Sequence, residues 1–599
     1  MPPKKKTQAD TTKKYVPSVK LRDLRTTVPY NVAGYSHLND ANPAVNGLLK
    51  AAEKNTKTLK EPHTIECVDV ERGLITLSGV AEPVPVYMKV VHLLNPVALM
   101  KTREGYIDPA TYNVFWDYGH SDLRFEHNKG YTETLAYHLT SAIGSERGIP
   151  HFTKWYGAVR GLADTYSYDM DEDFDVYRFR RWFWANYEAG WFDLDIRPRD
   201  TNVRMTREEI VAEFKPDDEL LTDEDDDDVE EAKTDSGSTI ECVDFGVGAY
   251  AYADASPIDL ANLETVSMGT LETLSTATMD FAINPDSQSH KPYSDSGDMT
   301  EAASLWEVYK LHAVIPRMPV VINFLEKHEG SMDKLMEEET GSVLTEEGEE
   351  DQAEDMLVEH PIDEYKWNAW FFQVVAALTA AQEYLHLTHN DLHTNNILWK
   401  STDQAYLFYK FGGASYKVPT YGKVFCLIDY GRAIYIVDHK HTMISSDFYD
   451  NNDAAGQYNF GPMMCEDDPH RNPNKSFDLA LLAASVLRSL FYMNPRQMPK
   501  GALMTKEGDW TVRETESVLF NMLWTWLASK DKKCMYETDD GYERWEGFDL
   551  YKGLAEYAAH AVPAEQFGKA WCKKFVMSVA PPALAPASST LAQSHVISL

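Results

Sequence analysis

The first half of the chain contains short segments in which hydrophobic and polar residues alternate. Alternation with a period of two is typical of β-strands that bury one face. The pattern predicts strands at residues 65–70, 74–77, 84–91, 151–157 and 319–326. An Arg-Gly dipeptide between the first two segments marks a turn. This part of the chain is therefore expected to form a sheet.

Apolar residues spaced three and four apart dominate the later part of the chain. This spacing is typical of helices with one buried face. It predicts an early helix at residues 130–139 and later helices at residues 370–385, 476–482, 518–527 and 555–576. Strands are thus expected first and helices afterwards.

The strongest candidate chemistry lies just after the helix predicted at residues 370–385. There His389, Asp391 and Asn396 form an H-x-D-x-x-x-x-N pattern, and an apolar strand further on ends in Asp429-Tyr430-Gly431. Two carboxylates and an amide at this spacing suit phosphoryl transfer, in which one carboxylate orients a hydroxyl and the other groups hold Mg²⁺. The alternative is an ordinary buried loop whose His and Asp are satisfied by hydrogen bonds.

A lysine lies inside the apolar strand predicted at residues 84–91. Lys89 there is expected to need a buried acidic partner, and Glu133 on the next helix is the preferred candidate, with Glu126 as its rival. Such a pair would position the α and β phosphates of a nucleotide. A lysine on a solvent-facing edge is the alternative. Gly73 and Gly79 are too sparse to form a glycine-rich phosphate flap.

The strand at residues 319–326 leads through a short glycine-containing link into a helix start. This order predicts a hinge between two lobes. The backbone groups of Asn323 and Leu325 are the candidates for hydrogen bonds to an adenine edge.

Composition narrows the function classes. Across 599 residues, 57 Lys and Arg face 94 Asp and Glu, so the net charge of -37 argues against a basic footprint for nucleic acid. The 6 cysteines are scattered without a C-x-x-C pair, which predicts reduced thiols and no zinc site. No apolar stretch has membrane-spanning length, and a soluble intracellular protein is expected.

The order of the candidate residues resembles that of the protein-kinase-like fold. These residues, in chain order, are Lys89, Glu133, Asp391, Asn396, Asp429 and Asp478. Four segments are similar to those of the kinase-like proteins of nucleocytoplasmic large DNA viruses: residues 389–397, 418–423, 428–435 and 453–459. The close resemblance covers roughly residues 360–490.

The resemblance implies an α+β, bilobal protein-kinase-like fold with a small β-rich N-lobe, a large acidic insertion and a mainly helical C-lobe. Residues 1–60 would be a partly disordered basic extension, and residues 61–330 the N-lobe with an insertion at about 160–300. Residues 331–580 would be the C-lobe and 581–599 a disordered tail.

The resemblance also implies a role for each motif residue. Asp391 would be the catalytic base, while Asn396 and Asp429 would be the Mg²⁺ ligands. Lys89 would contact phosphate, and Gly431 would belong with Asp429 to the nucleotide-binding set. His389 would support the catalytic loop, Asp478 would anchor it, and His393 lies within it.

The implied activity is that of a Ser/Thr protein kinase that uses ATP and Mg²⁺. Its partner would be a protein substrate, with no specific nucleic-acid binding and no membrane span. The implied location is the host cytoplasm, with packaging in the virion as a further option.

Three departures from the kinase pattern keep other functions open. Asn390 replaces the usual arginine, His393 stands where Ser/Thr kinases carry a lysine, and no Ala-Pro-Glu sequence closes the activation segment. A phosphotransferase for a small hydroxylated molecule is one alternative. The other is a catalytically weak pseudokinase that serves as a binding or virion module.

Overall fold

The computed structural model describes residues 32–39, 65–102, 121–171, 173–222, 305–340, 362–436, 443–446, 457–458, 473–491, 503–507, 510–514, 517–531, 534–536, 544–545, 548–577 and 596–599. Most of the predicted N-terminal extension lies outside the described residues. The same holds for the predicted insertion from residue 223 to 300 and for the predicted tail as far as residue 595.

The strands, in chain order, are β1 (Tyr35–Asn39), β2 (Ile65–Asp69), β3 (Leu74–Leu77), β4 (Val84–His92), β5 (Trp155–Asp169), β6 (Asp193–Pro198), β7 (Tyr309–Glu326), β8 (Gly330–Ser331), β9 (Ile397–Ser401), β10 (Tyr406–Phe411), β11 (Ala414–Pro419), β12 (Lys423–Leu427), β13 (Tyr435–Ile436), β14 (Met443–Ile444), β15 (Leu503–Glu507), β16 (Trp510–Glu514) and β17 (Val596–Ser598).

The α-helices are α1 (Pro96–Thr102), α2 (Lys129–Arg147), α3 (Phe174–Tyr177), α4 (Arg181–Glu188), α5 (Arg207–Phe214), α6 (Leu305–Val308), α7 (Met332–Thr340), α8 (Glu364–Leu385), α9 (Phe477–Leu490), α10 (Val518–Trp526), α11 (Phe548–Tyr557), α12 (Pro563–Gln566) and α13 (Ala570–Lys573). Short 3-10 turns lie at Ser121–Arg124 and Thr394–Asn396.

The main sheet is built around β7. This strand pairs antiparallel with β5 along most of its length, with β6 near its start and with β4 near its end. β3 and then β2 continue the sheet beyond β4, and β1 lies beyond β5. A curled antiparallel sheet is therefore followed by a mainly helical part. This mixed α+β arrangement is compatible with the predicted bilobal kinase-like fold.

Helix α2 lies against the sheet and begins where its sequence provides a cap. The side chain of Asn128 accepts a hydrogen bond from the backbone N of Gly130, and the helix ends at Gly148, which has a left-handed φ of 67°. A polar N-cap and a C-terminal glycine are the common signals for the two ends of a helix. The cap fixes the first turn of α2, which faces the candidate site.

Helix α8 is the centre of the second lobe and is buried along most of its length. One buried amide on it holds the strand that leads to the candidate site. Gln373 accepts a hydrogen bond from the backbone N of Phe425 at 3.1 Å and donates one to the carbonyl oxygen of Lys423 at 3.1 Å. Because a buried amide is costly unless it is paired, these bonds fix β12 against α8.

Most of the predicted elements form near their predicted positions. β2, β3, β4, α2 and α8 each overlap the segment predicted for them. The segment at 555–576 differs, since it contains the end of α11 and two short helices in place of continuous helix. Pro563 starts the first of the two short helices, because proline suits a first helical position but interrupts a helix interior.

The sheet also extends into the region where the sequence predicted an insertion from about residue 160. β5 runs on to Asp169, and β6 adds a further strand beside β7. Helix α4 packs Phe183 and Trp184 into the same core. The domain limits stay a prediction, but residues 160–222 pack as part of this sheet. Within the described residues, no helix is long and apolar enough to cross a membrane.

Two buried histidines, His138 and His151, should make the stability of the protein depend on pH. Burial lowers the pKa of His138 to about 3 and that of His151 to about 4. In the unfolded chain both regain an ordinary value of about 6.5, so the unfolded state binds more protons below that pH. As the pH is lowered from 6.5 to 5, we expect each histidine to reduce the free energy of unfolding by up to about 1.4 kcal/mol per pH unit.

Urea denaturation at several pH values measures this slope. His138→Phe is the matched variant, because the His138 ring packs edge-on against Trp155 with centroids 4.8 Å apart and its Nε2 has no hydrogen-bond partner among the described residues. In this variant, the slope of the free energy of unfolding against pH should decrease by the contribution of about one proton. A slope equal to that of the wild type would contradict the assignment to His138.

Candidate active site

The two lobes meet at a buried lysine that contacts two carboxylates. The Nζ atom of Lys89 lies 2.8 Å from Oε1 of Glu133 and 2.8 Å from Oδ2 of Asp429. Lys89 is 6% exposed and Glu133 is fully buried, which excludes the solvent-facing alternative for this lysine. The predicted pair of Lys89 with Glu133 is therefore present. The rival, Glu126, is exposed.

The sheet and α2 position this ion pair. Lys89 lies in β4 opposite Asn323 of β7, and Glu133 lies one turn inside α2. Burial raises the pKa of Glu133, and the positive charge of Lys89 opposes that rise. The carboxylate of Glu133 thus depends on Lys89 for its counter-charge, and removing one member of such a buried pair is strongly destabilising.

Asp429 follows β12 in a backbone conformation that only a few residue types adopt readily. Its φ is 62°, and its backbone N donates a hydrogen bond to Oη of Tyr137 at 2.9 Å. A left-handed residue other than glycine costs on the order of 1–3 kcal/mol and is frequent at functional sites. Burial alone would raise the pKa of Asp429, but Lys89, followed by Lys129, lowers it below its ordinary range.

A buried carboxylate on α9 holds the predicted catalytic loop, which comprises residues 389–396. Asp478 accepts hydrogen bonds from the backbone N of His389 and of Asn390, both at 2.9 Å. The ring of His389 lies 2.7 Å through its Nε2 from the carbonyl oxygen of Ile428, just before Asp429. The loop contacts predicted for Asp478 and His389 are thus present. They tie the loop to the strand that ends at Asp429.

Asn390 occupies the position where kinase-like sequences usually carry arginine. Its φ is 63°, and its Nδ2 donates to the carbonyl oxygen of Arg432 at 3.1 Å. Its Oδ1 accepts a hydrogen bond from the hydroxyl of Tyr458. Neutral hydrogen bonds therefore link the catalytic loop to the segment after Asp429.

The side chain of Asn396 contacts both Asp391 and His393, two further residues of the predicted site. Its Nδ2 donates to the backbone oxygen of Asp391 at 2.8 Å and lies 3.0 Å from Nε2 of His393. The backbone carbonyl oxygen of Asn396 accepts a hydrogen bond from the backbone N of Ile428 at 3.1 Å, next to Asp429. Because Nδ2 is occupied, Oδ1 is the side-chain atom of Asn396 left to coordinate a cation.

His393 is held as a neutral imidazole. Burial lowers its pKa, although the charges of Asp391 and Asp429 oppose this. A neutral ring can accept the Asn396 amide through Nε2. The following residue, Thr394, donates a hydrogen bond to Asp333 of α7 at 2.6 Å. This bond joins the catalytic loop to the helix that follows the predicted hinge.

The donor set fits Mg²⁺ carried by a nucleotide. In the described part of the chain, no group of three or more His, Cys, Asp or Glu residues could hold a metal by itself. Mg²⁺ commonly takes one or two carboxylates together with substrate phosphates and water. The Asp429 carboxylate and the Asn396 amide oxygen supply a set of that kind.

The two residues predicted to contact adenine through their backbone groups lie within the main sheet. Asn323 and Leu325 are inside β7, with β4 on one side and β5 on the other, and both are buried. Their backbone groups belong to the interior of the sheet, so an adenine edge would have to displace ladder bonds. The strand ends at Glu326, and the open link follows at residues 327–329.

The sequence did not identify Lys129, Tyr137 or Asp333 as neighbours of the site. Lys129 carried a usable signal, because it is the first residue of α2 and the first turn contains no acidic residue. Cations are disfavoured at helix N-termini by the helix dipole. A lysine there is therefore a hint of function. Tyr137 and Asp333 look like ordinary helix residues until the fold is known.

Comparisons with known proteins found similarity over one short stretch of the chain. A segment of 58 residues is 40% identical to part of serine/threonine-protein kinase haspin from Mus musculus, and the same identity and length hold for haspin from Bos taurus. The match covers 10% of this chain, 8% of the mouse protein and 7% of the bovine protein. No family model matches the chain. The local similarity supports a kinase-like relationship.

Proposed function

We propose that this protein is an ATP- and Mg²⁺-dependent phosphotransferase that modifies Ser or Thr hydroxyls of proteins. One observation carries the proposal. A buried lysine contacts both an acidic residue of the first lobe and the aspartate that follows β12, at 2.8 Å in each case. A purely structural ion pair does not require a lysine shared between lobes beside an Asp-Asn loop.

Each residue has a part in this proposal. Bound Mg²⁺ neutralises charge on the triphosphate and makes the terminal phosphate transferable. Asp429 and Asn396 would hold the metal, and Lys89, positioned by Glu133, would bind phosphate oxygens. Asp391 accepts the proton of the incoming hydroxyl, and the open link at residues 327–329 faces the adenine.

The protein substrate is supported by the names of the two relatives, both Ser/Thr protein kinases. A small hydroxylated substrate is the second candidate, favoured by the neutral His393 at a position where Ser/Thr kinases carry a cationic lysine. The relationship to viral kinase-like proteins and a location in host cytoplasm or virion stay predictions from the sequence.

Nucleotide binding should stabilise the folded protein only when the metal is present. We expect ATP with Mg²⁺ to raise the melting temperature and to do so less with EDTA, because binding to the native state shifts unfolding by mass action. Transfer of labelled phosphate to a panel of proteins and small alcohols then identifies the acceptor. No shift at saturating ATP would favour a pseudokinase that does not bind nucleotide, and label on alcohols alone would favour the second candidate.

A further inference from the structure

A second lysine lies close to Asp429, beside Gly431. Lys129, the first residue of α2, is half-buried, and its side chain crosses the face of Gly431. A Cβ atom built on Gly431 would lie 2.9 Å from Cε of Lys129 and 3.4 Å from Oδ1 of Asp429. A side chain at position 431 would therefore have to displace the end of the Lys129 side chain.

The two lysines approach different parts of the same carboxylate. Lys89 contacts Oδ2 of Asp429, while the backbone N of Gly431 lies 3.4 Å from Oδ1 on the side where Lys129 packs. Lys129 also acts on Glu133, whose pKa it lowers against the effect of burial. The site thus holds more positive charge than the predicted Lys89–Glu133 pair alone provides.

The position of Lys129 is unfavourable for the helix by itself. The N-terminus of α2 carries partial positive charge, and an acidic residue would suit the first turn better than a lysine. An anion beside Asp429 would instead be attracted by the ammonium group of Lys129. No glycine-rich flap is evident in the sequence, and the turn between β2 and β3 is confined to residues 70–73. Another source of contacts to the phosphates is therefore needed.

We propose that Lys129 is a second phosphate-binding residue, which contacts the nucleotide polyphosphate from the Gly431 side of Asp429. This inference rests on the proposed function. Lys89 and Lys129 would then both contact phosphate oxygens beside the Asp429 carboxylate. Charge-assisted contacts to phosphate are stronger than neutral ones, so two lysines would compensate for a poor flap.

Calorimetric titration with ATP and with adenosine tests the proposal. Lys129→Met keeps the length of the side chain and removes its charge. We expect it to weaken Mg·ATP binding by about tenfold while adenosine binds as before. Lys129→Arg should retain most of the affinity. Lys410→Met is the matched control, since Lys410 is exposed on β10 of the second lobe, and it should bind like the wild type.

Stability of the nucleotide-free protein separates this loss from misfolding. Removing a cation from the N-terminus of α2 should leave the melting temperature of Lys129→Met unchanged or slightly higher. If Lys129→Met bound ATP as tightly as the wild type or more tightly, Lys129 would not contact the phosphates. An equal loss of affinity for adenosine would lead to the same conclusion, and neither result would affect the proposed function. A wild-type protein that binds no ATP overturns the proposed function, and the contact with it.

Discussion

Replacement of Asp391 by asparagine is expected to reduce phosphate transfer by about 10²–10⁴-fold. The amide cannot accept the proton of the incoming hydroxyl, which is the role proposed for the carboxylate. Nucleotide affinity should stay nearly unchanged, because Lys89, Asn396 and Asp429 carry the proposed contacts to Mg·ATP. Initial rates of labelled phosphate transfer, together with calorimetric ATP binding, measure both quantities on the same preparation.

The surrounding bonds make Asp391→Asn an interpretable variant. The loop is held by the contacts of Asp478 with His389 and Asn390, and Asn396 bonds the backbone oxygen of Asp391, not its side chain. The variant should therefore melt like the wild type. Asp403→Asn makes the same chemical change at an exposed position and should transfer phosphate normally. If Asp391→Asn turned over at the wild-type rate, Asp391 would not be the base.

The sequence could predict those site residues whose surroundings follow from the residues next to them in the chain. Lys89 stood out because a lysine within an apolar strand must find a buried partner, and Glu133 was the acidic residue on the next helix. The catalytic loop was identifiable because its polar residues keep fixed spacings between buried segments. The contact of Asp478 with this loop followed from the same motif order.

The sequence was least informative where the position of a residue depends on pairing across the sheet. Alternation identified the strand around Asn323 and Leu325 but not the neighbours on both of its sides, which place those backbone groups in the interior. The start of the insertion was placed near residue 160 for the same reason, because β5 continues past that point only through its pairing with β7. Lys129 was missed because its approach to Gly431 exists only in three dimensions.

Replacement of Asp429 by asparagine is expected to weaken nucleotide binding in the presence of Mg²⁺ but not in its absence. The carboxylate now offsets the charges of Lys89 and Lys129 and supplies the proposed charged ligand for Mg²⁺. Without it, affinity for Mg·ATP should fall by about 10- to 100-fold, equivalent to about 1.4–2.8 kcal/mol. Affinity for ATP in EDTA should stay equal or increase, because both lysines lose a competing anion.

The comparison of ATP binding with Mg²⁺ and with EDTA isolates the metal role from a general loss of structure. A misfolded variant loses affinity under both conditions, whereas loss of a metal ligand affects only the first. Because Lys89 and Lys129 lower the pKa of Asp429 below its ordinary range, the carboxylate is ionised throughout pH 5–8. The comparison is made at about pH 8, where the terminal phosphate of ATP is also ionised. An unchanged ratio of the two affinities in Asp429→Asn would remove Asp429 from the metal site.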